Sequence, residues 1–569
     1  YIGCKKQHIC TLKIMQQHVY AISQACQSAG IQQAIICPGS RSAPLVFAFT
    51  QSKICCHSIV DERSAGYIAL GMAQQLQQPV VLICTSGTAA LNFFSAIAEA
   101  FYQKIPLIVL TADRPQELLN QQDGQMIMQQ GVFGEHVRAS YELPCYEVGG
   151  EELNATFSLV SKAIQHAVSQ QGPIHINVPL KEPLYPSKIN NTTSFPQKNI
   201  ITKPVPKALN DSVKNSIITA WKKAQRKLIL IGQLPLDGAI NGALTALAKR
   251  DDVVIICDVL SNQYGFNTAP QFDYLITRAD AKTAETMQPD FILSAGGPVL
   301  SKALKAWLQK QQPQHHFRIN TTSTQIDTYR NVTQQLETDI TAVLLLLAHI
   351  PSQQIELYKP FWEAANSFAA KGIKQFLSTK KWSELQAMNY VLQHIPDISN
   401  VQVGNSSIIR YVSYLGALHP SWKMDGNRGT SGIDGCTSTA VGAAMVNNRP
   451  TFLLTGDIAF LYDYNALWNK LPHNLKIIVF NNEGGGIFQL IEGPAKHADQ
   501  LHFFTTPHQQ SIQQIALQKG LRYYFCDDLN SLQKVAHFFN PSSPSALLEI
   551  KSNIKTNSSL FKLFKGVKL

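Results

Sequence analysis

Short runs of aliphatic and β-branched residues alternate along this chain with longer segments whose apolar positions recur every three to four residues. Such alternation marks strands joined by crossover helices, and hence parallel sheets. The pattern predicts a helix over residues 16–29, stopped by Gly30, and strands over 33–37, 54–60, 79–84, 106–110 and 173–179. A polar, proline-rich stretch over 183–206 reads as a linker. A second strand–helix series follows, with strands over 227–231, 253–256, 291–293 and 316–319. A connector over 350–359 leads to helices at 361–376 and 382–394, and then to strands over 400–403, 451–454, 475–480, 523–525 and 546–550. Residues 458–471 have helical spacing, 491–504 read as a mobile lid or loop, and 551–569 as a polar, basic tail. The expected fold class is α/β, with three doubly wound parallel-sheet domains over 1–185, 207–350 and 360–569.

Ligands of open α/β sheets bind beyond the carboxyl ends of the strands, so candidate chemistry is sought there. Gly456-Asp457 and Asn481-Asn482 end two successive strands. Asp457 offers a carboxylate, Asn482 an amide oxygen and Gly484 a backbone carbonyl, a hard-oxygen set suited to Mg²⁺. Gly456 and Gly484 to Gly486 allow a phosphate to approach the backbone. Each dipeptide alone is ordinarily a turn after a strand; the ordered pair resembles the GD…NN signature of thiamine-diphosphate enzymes. That cofactor needs an acid to drive its aminopyrimidine to the imino form, and Glu62, at a strand end entering a helix, is the best candidate. Without such a cofactor, Glu62 would read as a helix cap.

Other strand ends carry anion-binding residues. Pro38-Gly39-Ser40-Arg41-Ser42 offers backbone N–H groups, a hydroxyl and a guanidinium. Arg114 follows another strand, and the Gln-rich loop after it presents Gln125 and Gln129. Ser406 and Arg410 follow the strand at 400–403, and Arg428 and Ile433 lie in a glycine-rich loop that leads a helix of small residues. Lys302 opens a helix in the middle series, where it reads equally well as a solvated lysine.

Composition narrows the partners. The 569 residues are 45% hydrophobic, ample for several cores, with a formal net charge of +11. The Lys and Arg are dispersed rather than clustered, which favours acidic small molecules over nucleic acid. Eleven cysteines include no C-x-x-C pair, which fits reduced thiols in a cytoplasmic protein. The first 17 residues do not read as a signal peptide, and the longest apolar run, 342–348, is too short for a membrane span. No G-x-G-x-x-G fingerprint occurs in the middle series, so neither NAD nor FAD is expected there.

Taken together, C-P-G-S-R-S-A-P (37–44), D-E-R (61–63), T-S-G-T-A (85–89), T-A-D-R-P-x-E-L (111–118), G-P-I-H-I-N-V-P (172–179), G-N-S-x-x-x-R (404–410), N-R-G-T-S-G-I-D-G (427–435) and G-D…N-N-E-G-G-G-I-F (456–488) resemble one family over the whole chain. This is the family of 2-succinyl-5-enolpyruvyl-6-hydroxy-3-cyclohexene-1-carboxylate synthases, thiamine-diphosphate enzymes of menaquinone biosynthesis. The resemblance implies three α/β domains of the thiamine-diphosphate-enzyme type. It implies decarboxylation of 2-oxoglutarate on the cofactor and addition of the succinyl carbanion equivalent to isochorismate. Its cofactors would be thiamine diphosphate and Mg²⁺, or Mn²⁺ in its place. Glu62 would be the activating acid, and Asp457, Asn482 and Gly484 the metal ligands. Ser40, Arg41, Arg114, Gln125, Lys302, Ser406, Arg410 and Arg428 would line the dicarboxylate pocket, as Arg forks suit carboxylates. Ile433 would bend the cofactor, while Ile487 and Phe488 would pack near the reacting carbon. The pyrimidine half of one subunit would meet the diphosphate half of another, in a homodimer or a dimer of dimers. One departure stands out: some members carry a second basic residue after the middle-domain Lys, where this chain has Ala303.

Two other readings compete. Another thiamine enzyme, such as an acetohydroxyacid synthase or a simple 2-oxoacid decarboxylase, is disfavoured by so many Arg at strand ends. A non-catalytic binding protein on the same fold would need neither Glu62 nor the metal-ligand set.

Overall fold

A computed structural model describes residues 17–146, 150–185, 207–320, 324–351, 358–379, 381–416 and 418–566. Most of the expected linker and much of the second connector lie outside these residues. The chain divides into two compact units, Tyr1–Pro204 and Val205–Leu569.

The first unit is built on β1 (Gln33–Ile36), β2 (Cys55–Ser58), β3 (Val80–Cys84), β4 (Leu107–Asp113), β5 (Ser140–Glu142) and β6 (Ile174–Pro179). They form one sheet in the order β2-β1-β3-β4-β6-β5, with every pair parallel. Its central strands are buried on both faces, so Val80 to Cys84 and Leu107 to Ala112 run as continuous apolar sequence broken only by Thr111. Helices His18–Ser28 and Gly150–Ser169 pack together over this sheet. The helix Glu62–Leu76 starts from Asp61, whose side chain caps Ser64 N, and keeps its small residues buried.

The second unit holds two sheets. β7 (Lys227–Ile231), β8 (Val253–Cys257), β9 (Phe291–Ala295), β10 (His315–Asn320) and β11 (Gln334–Glu337) are ordered β11-β10-β9-β7-β8. β12 (Asn400–Val403), β13 (Lys423–Asp425), β14 (Thr451–Gly456), β15 (Leu475–Asn481), β16 (Arg522–Cys526) and β17 (Ala546–Lys551) are ordered β13-β12-β14-β15-β17-β16. Every strand pair is again parallel. The first and third sheets therefore share one topology. In each, the chain reverses its direction of winding after the second strand, which opens a crevice between β1 and β3 and another between β12 and β14.

Three strands escaped the apolar pattern: β5, β11 and β13. All lie at sheet edges and are only three or four residues long. Half-exposed edge strands bury too little side chain to carry an apolar run. Residues 458–471 are not one helix: a helix over Asp457–Tyr462 gives way to a 3₁₀ turn over Tyr464–Trp468. Asp463, between them, is fully buried and accepts from Ser438 N (2.7 Å) and Ser438 Oγ (2.8 Å). The expected lid holds short helical turns over Glu492–Ala495, Ala498–Gln500 and Leu501–Thr505. Most of the expected tail is a helix, Ile554–Gly566, whose Phe561 and Phe564 are buried.

His316, on β10, is buried with Nε2 2.8 Å from Ser294 Oγ and Nδ1 2.6 Å from Asn331 Oδ1. Burial lowers its pKa to about 4, against which the Asn331 contact acts weakly. The folded value lies below the unfolded one, so its contribution to stability is present above pH 6.5 and is lost as pH falls towards 4. Urea unfolding of wild type and His316→Gln should therefore show the wild type losing about 1–2 kcal/mol more between pH 7 and pH 5. Parallel pH profiles would contradict this.

Candidate active site

In the third sheet, the loops after β14 and β15 are tied together by one carboxylate. Asp457 Oδ2 accepts from Asn482 N (3.1 Å) and Gly484 N (3.0 Å), and Oδ1 from Ile458 N (2.7 Å). Asp457 is only 2% exposed. Its position follows from the parallel register, which sets Gly456 opposite Phe480 and so brings the two strand ends level. His508 Nε2 lies 3.3 Å from Asp457 Oδ2 without hydrogen-bonding geometry.

Asn482 is buried, and its amide nitrogen donates to Glu384 Oε1 at 2.6 Å. Its Oδ1 has no hydrogen-bond partner. A buried amide oxygen without a partner, next to a buried carboxylate, is the donor set a hard cation needs. A Cβ on Gly484 would lie 2.8 Å from Thr505 O, so the loop cannot carry a side chain there. A Cβ on Gly456, by contrast, would meet only Ile408, at 4.0 Å, which leaves the face of that turn open to a ligand. The residues thus fit a cation-bound diphosphate. Among the described residues no group of three or more His, Cys, Asp or Glu is placed to hold a metal ion. One carboxylate, one amide and one carbonyl would leave the remaining coordination positions to phosphate and water oxygens.

Beside this lies an arginine-bearing crevice at the β12–β14 switch point. Ser406 has φ 70 and ψ −128, a backbone strained for a non-glycine residue, at the start of the helix Ser407–Leu415. Its carbonyl accepts from Arg410 Nη1. Asn405 Nδ2 donates to Asn427 O (2.7 Å) and Gly432 O (2.6 Å), and Asn405 Oδ1 accepts from Arg428 Nη1 (2.9 Å). One asparagine therefore shapes the loop that carries both Arg428 and the half-buried Ile433. Arg410 has its pKa lowered by burial and then by the charge of Arg428. Ile487 and Phe488 stand on the 3₁₀ turn Gly486–Gln489, and the Phe488 ring lies 5.7 Å from that of Phe504.

Lys302 is exposed in the first turn of the helix Lys302–Lys310. Lys305, one turn on, was missed by the sequence reading. It is half-buried, and its pKa is lowered by burial, then by Arg428 and Lys302, while Asp258 acts the other way. A lysine three residues from another reads as an ordinary solvated face; only packing shows that its charge reaches Arg428. Asp258 itself is buried and accepts from Leu260 N and Leu300 N at 3.1 and 2.8 Å.

In the first unit, Arg41 and Arg114 are electrostatic neighbours: burial, then the charge of Arg114, lowers the Arg41 pKa. Arg41 Nη1 donates to Leu180 O (3.0 Å) and its Nη2 lies 3.4 Å from Glu182 Oε1. Arg114 donates to Asp123 Oδ2 (2.9 Å), Ser86 Oγ (2.9 Å) and Gln125 O (2.8 Å). Gln125 thus meets Arg114 through its backbone, while its side chain is exposed, as is Ser40. Gly87, at φ 88, is packed so closely on Gln125 that a Cβ would lie 3.1 Å from its carbonyl oxygen. Gln129, in the same loop, has a buried amide that accepts from Gly87 N (2.9 Å) and donates to Ala112 O (3.1 Å) and Asn177 Oδ1 (3.0 Å). Glu62 is half-buried, receives Asn92 Nδ2 at 3.2 Å, and contributes to raising the pKa values of Cys37 and Cys84, at the ends of β1 and β3. It therefore stands at the switch point of its own sheet.

This fold and these strand-end loops define a thiamine-diphosphate enzyme. Residues 18–134 match the family model described as "Thiamine pyrophosphate enzyme, N-terminal TPP binding domain", and residues 197–402 match "Middle domain of thiamine pyrophosphate". The chain is 36% identical to the 2-succinyl-5-enolpyruvyl-6-hydroxy-3-cyclohexene-1-carboxylate synthase of Flavobacterium johnsoniae, covering 96% of this chain and 97% of that protein. It is 37% identical to the synthase of Flavobacterium psychrophilum, covering 94% and 96%, and 31% identical to that of Bacteroides thetaiotaomicron, covering 96% and 98%. The chain belongs to the 2-succinyl-5-enolpyruvyl-6-hydroxy-3-cyclohexene-1-carboxylate synthase family.

Lys305 offers a test of the basic crevice that needs no turnover. Lys305→Met removes a desolvated cation from beside other cations, so it should raise the melting midpoint in low salt by about 2 °C. High salt should erase the gain by screening. A lowered midpoint in low salt would mean that Lys305 is paired, not crowded.

Proposed function

We propose that this chain catalyses thiamine-diphosphate-dependent decarboxylation of 2-oxoglutarate and joins the four-carbon fragment to isochorismate. The product is 2-succinyl-5-enolpyruvyl-6-hydroxy-3-cyclohexene-1-carboxylate, in menaquinone biosynthesis. The observation that carries this reading is one buried constellation: Asp457 clamping the Asn482–Gly484 loop, with the Asn482 amide oxygen left open. When bound, the cofactor supplies a nucleophilic carbon able to take up a 2-oxoacid.

The remaining work falls to side chains. Asp457, Asn482 and the Gly484 carbonyl would hold Mg²⁺ or Mn²⁺, with Gly456 leaving room for the diphosphate. Glu62 would hold and return a proton at the pyrimidine nitrogen. Ile433 would pack against the cofactor, while Ile487 and Phe488 would shield the reacting carbon from water. Both substrates are dicarboxylates, and Arg41, Arg114, Arg410, Arg428 and Lys302 would match their charge, with Ser40, Ser406 and Gln125 adding hydrogen bonds. We assign the domains to 1–185, 207–350 and 360–569. The setting is cytoplasmic, where free thiols such as those of the described cysteines persist. Among the described residues, no helix is long and apolar enough to cross a membrane.

Loss of isochorismate absorbance should require protein, thiamine diphosphate, Mg²⁺ and 2-oxoglutarate together. Glu62→Gln should lower turnover at least 100-fold yet keep metal-dependent cofactor binding. Carbon dioxide release from some other 2-oxoacid, with isochorismate untouched, would overturn the substrate assignment. Turnover surviving in Glu62→Gln would overturn the role of Glu62.

The active species is, in this reading, a homodimer or a dimer of dimers, with the Glu62 half of one copy serving the Asp457 half of another. Sedimentation of the active enzyme should give a dimer or tetramer. Activity that co-sediments with a monomer would refute it.

A further inference from the structure

Glu384 is the first residue of the helix Glu384–His394, and its side chain is 1% exposed. An acid in the first turn suits the helix dipole, but an exposed acid would serve that purpose equally well. This one is buried, and every hydrogen-bond partner of its carboxyl group is neutral. Oε1 accepts from Asn482 Nδ2 at 2.6 Å and from Ser552 Oγ at 3.4 Å, and Oε2 pairs with the Tyr411 hydroxyl at 3.0 Å. The partners are themselves held. Ser552 Oγ accepts from Asn557 Nδ2 at 2.8 Å, and Asn557 Oδ1 accepts from Glu384 N at 3.0 Å. The carboxyl group is thus held from three places: the loop after β15, the helix Ser407–Leu415, and Ser552, between β17 and the helix Ile554–Gly566. A buried acid without a cation is costly unless something near it compensates. The charge of Asp457 adds to the cost.

The geometry shows what this arrangement accomplishes. An amide has two ends, and only its oxygen can ligate a hard cation. With Nδ2 held by Glu384, Asn482 has a single orientation, and the oxygen without a partner, Oδ1, is the end left over. We propose that Glu384 is the positioning residue of the cation site: by accepting from Asn482 Nδ2 it locks the amide with its oxygen turned to the metal. The role does not depend on the ionisation of Glu384. The Tyr411 hydroxyl is able to donate to Oε2 or accept from it, so Oε1 accepts from Asn482 in either state. Nothing in the motifs marks Glu384, which lies far from both loops in sequence. The inference rests on Asp457, Asn482 and Gly484 being the cation ligands.

The test is Mn²⁺ binding, followed by electron paramagnetic resonance in the presence of thiamine diphosphate, with no substrate and no turnover. Glu384→Gln keeps an acceptor oxygen for Asn482 and a donor for Tyr411 but removes the charge. Glu384→Asp keeps the charge but withdraws the acceptor by one methylene. The positioning role predicts that Glu384→Gln binds Mn²⁺ within about threefold of wild type, and that Glu384→Asp binds at least ~10-fold more weakly, the range for partners of metal ligands. Wild-type affinity in Glu384→Asp would overturn the proposal. So would a loss in Glu384→Gln as large as that in Glu384→Asp, because charge rather than orientation would then be at work; this holds from Glu384→Gln alone if the aspartate variant does not fold. If the wild type itself takes up no Mn²⁺, the ligand assignment falls and this role falls with it.

Discussion

The Asp457 carboxylate is the interaction on which the candidate site depends. Three backbone N–H groups converge on it, two of them from the loop after the neighbouring strand. Each would otherwise be an unpaired donor in a buried place, so the loop is held to one conformation. The same three bonds fix the buried carboxylate beside the unpartnered Asn482 amide oxygen, a pair of hard oxygens that suits a divalent cation. Parallel pairing of β14 with β15 makes this possible, because only parallel strands end side by side with both loops on the same edge.

The two sheets of like topology repeat this logic. In the first, Glu62 and the Ser40–Arg41 turn stand at the β1–β3 crevice; in the third, Ser406 and Asp457 stand at the β12–β14 crevice. The middle sheet also reverses winding, between β7 and β9, but there the backbone closes on itself. A Cβ on Gly232 would lie 2.2 Å from Gly297 O, and Gly297 N donates to Gln233 O at 2.7 Å. Its crevice is filled by glycine backbone, and the basic residues of that sheet, Lys302 and Lys305, come instead from the helix that follows β9.

Two buried carboxylates near the cation site have opposite surroundings. Asp457 is met by three backbone N–H groups, with the His508 ring close by. Glu384 is met by neutral side chains, and burial raises its pKa to about 7, with the Asn482 and Tyr411 hydrogen bonds opposing and Asp457 reinforcing the rise.

Much of this was legible in the sequence. Central strands are buried on both faces and so must be written as apolar runs, and the loops at their carboxyl ends must carry the special residues, so Gly456-Asp457, Asn481-Asn482, Asp61-Glu62 and the arginines could be found by reading along the chain. Edge strands such as β5, β11 and β13 were silent, because a strand with one neighbour and one wet side needs no such run. The amphipathic end of the chain hid the helix Ile554–Gly566, whose two buried phenylalanines lie among lysines. Gln125 and Gln129 show a related limit: a glutamine in a polar loop has the same letters whether its side chain is exposed or closes a buried network. Glu384 and Lys305 show the limit most clearly. Sequence alone determines which residues a strand end can present, since that follows from local pattern and chain order. Which distant side chains meet them is decided only by packing, because a hydrogen bond between Glu384 and Asn482 is set by where two elements come to rest and leaves no periodicity in the chain.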